Sequence, residues 1–157
     1  MGAEVYVDEM ELEQSEPVGD VTVCSSDLTG IRIDKDDIPG LIDELPIIAV
    51  AAARAYGTTV VTGAGELRVK ESDRLAAITR NLRAMGIEVE EREDGFIIQG
   101  PQHFRGAEIT TEHDHRIAMA FSVAGLLASG STVINHSECV SVSMPHFYDM
   151  LETITKP

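Results

Sequence analysis

The stretch Ile117–Ala128, with the sequence IAMAFSVAGLLA, contains no charged side chain, although a quarter of the protein's residues are charged. A second stretch, Leu45–Ala53 (LPIIAVAAA), has the same character, and Arg54 is the first charge after it. A helix that is apolar all round is buried on every side, whereas the outer helices of an α/β fold keep one polar face. We therefore predict an α/β fold in which helices lie inside the sheets. Packing of each helix at an interface is the alternative interpretation.

Length and composition narrow the class of protein. The 157 residues are enough for one domain with a real core, and no apolar run approaches the roughly 20 residues of a membrane span. The net charge of −15 argues against nucleic acids and anionic membranes as partners. Cys24 and Cys139 lack metal-binding or redox spacing. We therefore expect a reduced, cytoplasmic protein.

Three short segments of the chain occur twice in the same order. They are Met1–Val5 and Met85–Val89, Gly30–Ile33 and Gly106–Ile109, and Gly57–Val61 and Gly130–Ile134. Their spacing is too long for a solenoid repeat and is typical of a duplicated half-domain. We predict two related units, at about residues 1–84 and 85–157.

Each copy contains a strand-rich segment, a short strand, an apolar helix and a further strand. The predicted strands are Glu4–Glu11, Ile31–Ile33, one from Gly57, Ile87–Gln99, Ala107–Thr110 and one from Gly130. The predicted helices are Pro46–Tyr56, Asp73–Met85, His115–Ala128 and about Pro145–Ile154. Gly86 is a natural end for the second helix. Turns are predicted at Gly19-Asp20 and at Asp94-Gly95, and the latter indicates a hairpin.

Cations stand at two predicted helix starts, where they oppose the helix dipole. In Arg68–Leu75 (RVKESDRL), Ser72 is a plausible N-cap and Arg74 falls in the first turn. Asp114 and Arg116 repeat this arrangement at the next helix. An exposed cation there costs about 0.3–1 kcal/mol, unless an anion lies between the arginine and the free N–H groups. We therefore predict an anion site where these helix starts converge.

Lys70 lies in the same segment and is expected to line the anion site with the two arginines. Three ionisable side chains could carry out proton chemistry there: Asp43, Glu71 and His115. A carboxylate beside a lysine and a helix end has the environment from which general acids and bases are made. A solvated charge cluster in a loop is the alternative interpretation.

Three motifs contain these residues: IDELPIIAVAA (Ile42–Ala52), GAGELRVKESDRL (Gly63–Leu75) and EHDHRIAMAFSVAG (Glu112–Gly125). They closely resemble the C-terminal part of the 5-enolpyruvylshikimate-3-phosphate (EPSP) synthases, the family that glyphosate targets. The resemblance implies an inside-out α/β domain in which repeated βαβαββ units enclose buried helices. It also implies transfer of the enolpyruvyl group of phosphoenolpyruvate to the 5-hydroxyl of shikimate 3-phosphate. Phosphate is released, and neither a metal nor a cofactor takes part.

The resemblance implies two catalytic residues. Asp43 matches the aspartate that contacts the attacking hydroxyl of shikimate 3-phosphate and accepts its proton. Glu71 matches the acid that protonates the methylene carbon and later removes a proton from the methyl group.

The cationic residues match substrate-binding positions of the family. Lys70 matches a lysine near both substrates, which we assign to shikimate 3-phosphate. Arg74 and Arg116 match the arginines that clamp phosphoenolpyruvate, and His115 supports Arg116 as its neighbour. The family often has a lysine before the last Phe-Pro pair, where this chain has Val142. One contact to phosphoenolpyruvate is therefore absent or supplied by another group.

Family enzymes are more than twice as long as this chain. The segments upstream carry other groups that bind the two substrates. We therefore expect a C-terminal fragment whose partner is the N-terminal portion of the same enzyme, and which does not catalyse the reaction alone.

Three alternative functions stay open. The sister enolpyruvyl transferase that acts on UDP-N-acetylglucosamine shares the fold, but it lacks RVKESDRL and HDHR in this form. A non-catalytic domain could complete a site with another chain. A metal protein could use His113, Asp114 and His115, but a zinc site usually has three or four ligands, and the sequence offers no second cluster at ligand spacing.

Overall fold

The computed structural model describes residues 1–8, 11–13 and 16–156. The described strands are β1 (Glu4–Val7), β2 (Glu11–Glu13), β3 (Glu16–Val18), β4 (Val21–Cys24), β5 (Arg32–Ile33), β6 (Gly57–Val61), β7 (Val89–Arg92), β8 (Gly95–Gly100), β9 (Glu108–Ile109) and β10 (Val133–Ile134). The α-helices are α1 (Ile38–Leu41), α2 (Leu45–Arg54), α3 (Arg74–Ala84), α4 (His115–Leu126) and α5 (Phe147–Thr155). Short 3₁₀ turns cover Ile42–Glu44, Gly65–Val69 and Ser137–Val142. The four predicted helices are therefore confirmed to within two residues at each end.

The strands form one four-stranded sheet and three two-stranded ones. The order β5-β6-β8-β7 makes up the largest sheet, in which β5 and β6 are parallel and the other neighbours antiparallel. β9 and β10 are also parallel. In both parallel pairs a buried helix connects the strands, α2 in the first and α4 in the second, as a parallel connection requires.

The element order β5-α2-β6-α3-β7-β8 is one βαβαββ unit, and β9-α4-β10-α5 begins in the same way. The division that we predicted between residues 84 and 85 falls inside the first run, between α3 and β7. The two-unit division stays a prediction.

Two glycines at matching positions of the two copies are required for the same physical reason. A side chain at Gly30 would overlap the backbone of Thr58, and one at Gly106 would overlap the backbone of Ser131. The β5 and β9 segments can therefore approach the neighbouring backbone only without a Cβ atom.

The helices α2, α3 and α4 pack against one another and share one core with the four-stranded sheet. In α4, Ile117 and Phe121 are fully buried, as are Leu45 and Ala52 in α2. The predicted α/β class with buried helices is therefore confirmed. Burial on every side does not extend to the ends, because Leu126 at the C-terminus of α4 is about half exposed.

One predicted turn is wrong. In the strand pairs β1–β4 and β2–β3, Glu4 lies opposite Cys24 and Glu13 lies opposite Glu16. Gly19-Asp20 therefore lies between β3 and β4, in the returning half of the hairpin. Residues 9 and 10 of the predicted strand Glu4–Glu11 lie outside the described residues.

The predicted hairpin is confirmed, but its two-residue loop is Glu93-Asp94, one residue earlier than predicted, because Gly95 already pairs with Arg92 as the first residue of β8. Gly86 has a φ of 81° directly after α3, as expected of a helix end. Within the described ranges, every helix is too short or too polar to cross a membrane.

Candidate active site

Arg74, the first residue of α3, lies at the centre of a buried ion-pair network. Its guanidinium donates to three carboxylates: Nε to Asp114 Oδ2 at 2.7 Å, Nη1 to Asp43 Oδ1 at 2.9 Å and Nη2 to Glu71 Oε2 at 2.6 Å. The Arg74 side chain is only 1% exposed. A buried guanidinium needs partners of opposite charge, and its fork can satisfy several carboxylates at once.

Asp114 joins this network to the start of α4. Its side chain is completely buried, and it accepts from the backbone N–H groups of Arg116 (2.9 Å) and Ile117 (3.3 Å) as the N-cap of the helix. Ser72 also donates its hydroxyl to Asp114 Oδ2 at 3.1 Å. The predicted cap at Asp114 is therefore confirmed.

Burial and ion pairing act in opposite directions on this pair. Burial alone raises the pKa of Asp114, but the hydrogen bond and charge of Arg74 outweigh it, so that the pKa lies below the ordinary value of an aspartate. Burial lowers the pKa of Arg74, and the hydrogen bond and charge of Asp114 raise it above its usual value. Both groups are therefore ionised at neutral pH.

The anion that we predicted between an arginine and a helix start belongs to the protein itself. The Asp114 carboxylate stands between Arg74 and the free N–H groups of α4. The binding of an external anion by Arg74 stays a prediction.

The predicted N-cap at Ser72 is wrong. Asp73 caps α3, because its carboxylate Oδ1 accepts from Ala76 N at 3.0 Å. Ser72 instead uses its hydroxyl on Asp114. Ser and Asp are equally good caps. The hydrogen bond of Ser72 to Asp114 engages the serine hydroxyl elsewhere and leaves Asp73 as the cap of α3.

Asp43 lies between two guanidinium groups. Its Oδ1 accepts from Arg74, and its Oδ2 lies 3.6 Å from Arg116 Nη2. Arg116 Nη1 also donates to the backbone carbonyl of Asp43 at 3.0 Å and to Glu44 Oε1 at 2.8 Å. The Asp43 side chain is 44% exposed, so its carboxylate is oriented by the arginines and still open to solvent.

Glu71, like Asp43, is bound by an arginine and is still open to solvent. One oxygen is bound by Arg74, and 52% of the side chain is exposed. Arg74 thus orients two solvent-facing carboxylates, Asp43 and Glu71, with separate nitrogens of one guanidinium. Two oriented carboxylates with separate surroundings could serve as a base and an acid.

The other predicted site residues lie at the edge of this network. Lys70 pairs with Glu66 at 3.3 Å, and about a quarter of its side chain is exposed. His115 is the first residue of α4 and is partly buried. Val142, at the position where the family often has lysine, is 82% exposed.

A cavity of about 200 Å³ adjoins the network. Asp43, Glu44 and Arg116 line its polar end, and apolar side chains of α2 and α4 together with Phe147 form the rest of the wall. Asp43 therefore faces both the charged network and a recess between the two buried helices.

Two functional partners escaped the sequence analysis. Asp114 was predicted as a cap and considered as a metal ligand, but not as the partner of Arg74, and Glu44 was not predicted as a partner of Arg116. Helix capping gives a local signal in the sequence. The pairing of Asp114 with Arg74 joins residues 40 positions apart, so it gives no local signal.

The alternative metal site at His113, Asp114 and His115 does not fit the geometry. The Asp114 carboxylate is buried against Arg74 and the start of α4. It is therefore not available to a metal ion shared with its neighbours in sequence.

The chain is similar to known proteins over nearly its whole length. The family model described as EPSP synthase (3-phosphoshikimate 1-carboxyvinyltransferase) matches residues 1–151. Proteins named 3-phosphoshikimate 1-carboxyvinyltransferase from Salinibacter ruber and Alkaliphilus oremlandii are 53% and 48% identical over 156 residues, which is 99% of this chain and 36% of each relative.

A solved structure shows the same likeness in three dimensions. The EPSP synthase from Acinetobacter baumannii superimposes with a TM-score of 0.92 at 43% sequence identity, over 98% of this chain and 36% of that one. The chain thus spans about a third of the length of the relatives it matches. With the family model covering nearly all of its residues, the chain belongs to the EPSP synthase family.

Proposed function

We propose that this chain is part of an enolpyruvyl transferase that moves the enolpyruvyl group of phosphoenolpyruvate to the 5-hydroxyl of shikimate 3-phosphate and releases phosphate. The observation that carries the proposal is the pair of half-exposed carboxylates, Asp43 and Glu71, on the single guanidinium of Arg74. The relatives named 3-phosphoshikimate 1-carboxyvinyltransferase support the same reaction.

Asp43 is the base in this proposal. Its carboxylate lies between the guanidinium groups of Arg74 and Arg116, and it opens onto a cavity. It can therefore contact the attacking hydroxyl of shikimate 3-phosphate and accept its proton as the new C–O bond forms. A positioned carboxylate of this kind typically contributes about 10²–10⁴-fold to a rate.

Glu71 is the acid. The reaction adds a proton to the methylene carbon of phosphoenolpyruvate and later removes one from the resulting methyl group, and one side chain can do both in turn. Glu71 is anchored by one oxygen and exposed over half of its side chain, which leaves the other oxygen for the substrate.

The cations bind the two anionic substrates. Arg116 contacts the phosphoenolpyruvate, with His115 beside it, and Lys70 contacts the shikimate 3-phosphate. Arg74 holds the two catalytic carboxylates, and the contact with phosphoenolpyruvate that the resemblance implies for it requires Asp43 or Glu71 to release one of its guanidinium nitrogens. This array opposes the net charge of −15, which by itself repels both substrates.

The complete site needs the N-terminal portion of the enzyme as a partner, and the 157-residue chain is inactive alone. Asp43 and Glu71 are about half exposed, whereas transition-state stabilisation requires closure around the substrates and exclusion of water. The free cysteines Cys24 and Cys139 agree with a cytoplasmic location. The reaction needs no cofactor and no metal.

The test uses this chain extended to the full length of its relatives. We expect Glu71→Gln and Asp43→Asn each to lower turnover by at least about 10²-fold, while shikimate 3-phosphate still binds in calorimetry. Glu90→Gln is the matched control, because Glu90 is an exposed carboxylate on β7 paired only with Arg92 among the described residues. Normal turnover in Glu71→Gln would show that another group supplies the proton.

A further inference from the structure

Two histidines and a glutamate meet on the surface beside α4, outside the candidate active site. His113 lies in the turn before the helix, and His136 and Glu138 follow β10. One ligand atom from each of the three side chains lies within 4.8 Å of the others. All three residues are exposed, and none takes part in the network around Arg74.

The parallel pairing of β9 and β10 brings these segments together. Ile109 pairs with Ile134 at the ends of the two strands, so the segments that follow β9 and β10 leave the sheet at the same edge. Beyond the strands, the buried hydroxyl of Thr111 donates to the carbonyl of Asn135 at 2.9 Å and accepts from His113 N at 3.2 Å. The core therefore sets the spacing of the cluster.

The backbone at both histidines is unusual. His113 has a φ of 61° and His136 a φ of 53°, both in the left-handed region that residues other than glycine seldom adopt. Their ring centroids are 4.1 Å apart with a tilt of 35°. Strained backbone of this kind often marks a functional site, and here it accompanies two imidazole rings that lie against each other.

The spacing suits a tetrahedral metal ion. His136 Nδ1 lies 3.5 Å from Glu138 Oε1. Ligands about 2.0–2.1 Å from a tetrahedral zinc ion are about 3.4 Å from one another. The ligand atom of His113 lies within 4.8 Å of the other two, so binding requires the exposed side chains to rotate until all three separations match. Water can then occupy the fourth position.

The ligand set selects a class of metal. Imidazole favours zinc, copper, nickel and cobalt, whereas magnesium and calcium prefer sites made only of oxygen atoms. The net charge of −15 raises the local concentration of any cation. We propose that His113, His136 and Glu138 bind one divalent transition-metal ion of the zinc class.

A bound ion would cross-link two segments that flank the active site. His113 directly precedes Asp114, the cap of α4, and Cys139 and Val140 pack against the same helix. The metal would therefore hold the turn that leads into Asp114 and Arg116. It plays no part in the proposed transfer reaction, so this inference and the proposed function can fail independently.

The first test measures Zn²⁺ bound per chain by equilibrium dialysis in excess Mg²⁺, which occupies simple carboxylate sites. We expect one Zn²⁺ per chain. His113→Asn and His136→Asn remove the imidazole and keep a residue that tolerates the left-handed backbone, and Glu138→Gln removes the carboxylate charge. Each should weaken Zn²⁺ binding by at least about tenfold.

The matched controls are His103→Asn and His146→Asn, which change exposed histidines outside the cluster. They should bind Zn²⁺ as the unchanged protein does. Equal affinity in all five variants, or no stoichiometric Zn²⁺ binding at all, would overturn the proposal.

A second measurement needs no substitution. Paramagnetic Co²⁺ should broaden the imidazole proton resonances of His113 and His136 at lower concentration than those of His103 and His146. Uniform broadening of all the histidines would show only adventitious binding by the acidic surface and would also reject the site.

Discussion

Arg74 and Asp114 form an ion pair that is closed to solvent, with 2.7 Å between Nε and Oδ2 and with side chains 1% and 0% exposed. The pair joins the first turn of α3 to the first turn of α4. It also holds Asp43 and Glu71 in place through the remaining nitrogens of the guanidinium. One buried charge thus organises both a helix contact and the candidate active site.

Removal of one member of this pair should destabilise the fold strongly. Arg74→Met leaves the buried Asp114 without its counter-ion, and we expect a loss of about 3–5 kcal/mol in unfolding free energy. Asp114→Asn keeps a good N-cap and isolates the loss of charge. In urea denaturation, the double variant should lose less than the sum of the single losses. Additive losses would show that the pair is not coupled.

The same pair predicts how stability depends on pH. The pKa of Asp114 is lower in the folded protein than in the unfolded chain, where an aspartate has a pKa of about 3.9. Its stabilisation is therefore complete above that value and is lost as the pH falls through the lower folded pKa.

We expect unfolding free energy to decrease between about pH 5 and pH 2, and to decrease less steeply in Asp114→Asn. Denaturant titrations at a series of pH values measure both slopes. The difference should persist in high salt, because a buried pair is little screened. Identical slopes would contradict an ionised Asp114 in the fold.

A charge in the middle of α4 should unfold the protein. Ala120 is 3% exposed and lines the cavity together with Arg116, which is already paired with Asp43 and Glu44. Ala120→Asp therefore buries a carboxylate without a free partner, at a cost of about 3 kcal/mol. Leu126→Asp is the control, because Leu126 is half exposed at the end of the same helix, and it should cost no more than about 1 kcal/mol. A thermal melt of Ala120→Asp within a few degrees of the unchanged protein would contradict the buried position of α4.

The isolated 157-residue chain should fold and should not release phosphate from the two substrates. Its candidate catalytic carboxylates are about half exposed, so solvent screens the interactions that a closed site would strengthen. A phosphate-release assay and calorimetry with shikimate 3-phosphate check this. Addition of the N-terminal portion as a separate chain is the positive control. Rapid turnover by the isolated chain would mean that the site is assembled in another way, such as by self-association.

The sequence was sufficient for those parts of the fold that depend on local or periodic signals. The absence of charge in Ile117–Ala128 predicted a buried helix, because no face of it suits water. Asp114 was recognised as a cap and Gly86 as a helix end, since both signals lie within a few residues of the feature.

Contacts between distant segments could not be predicted in this way. Ser72 and Asp73 are both good caps, and the choice between them depends on Asp114, which is more than 40 residues away. The turn prediction at Gly19-Asp20 was wrong because this dipeptide, although a strong turn signal, connects β3 to β4 on the returning side of the hairpin. The position of Arg74 at a helix start predicted a contact with an anion, but it could not reveal the three carboxylates that the fold brings to Arg74 from its own chain.

The long-range contacts of Arg74 have a consequence for the order in which this protein folds. Its partners Asp43 and Asp114 lie 31 and 40 positions away along the chain, so none of these contacts can form before α2, α3 and α4 have come together. Contacts of such separation carry the loop-closure cost of folding and form late. A partly folded chain therefore has its helices before it has its candidate active site. Any local opening that separates α3 from α4 should dismantle that site while most of the secondary structure persists.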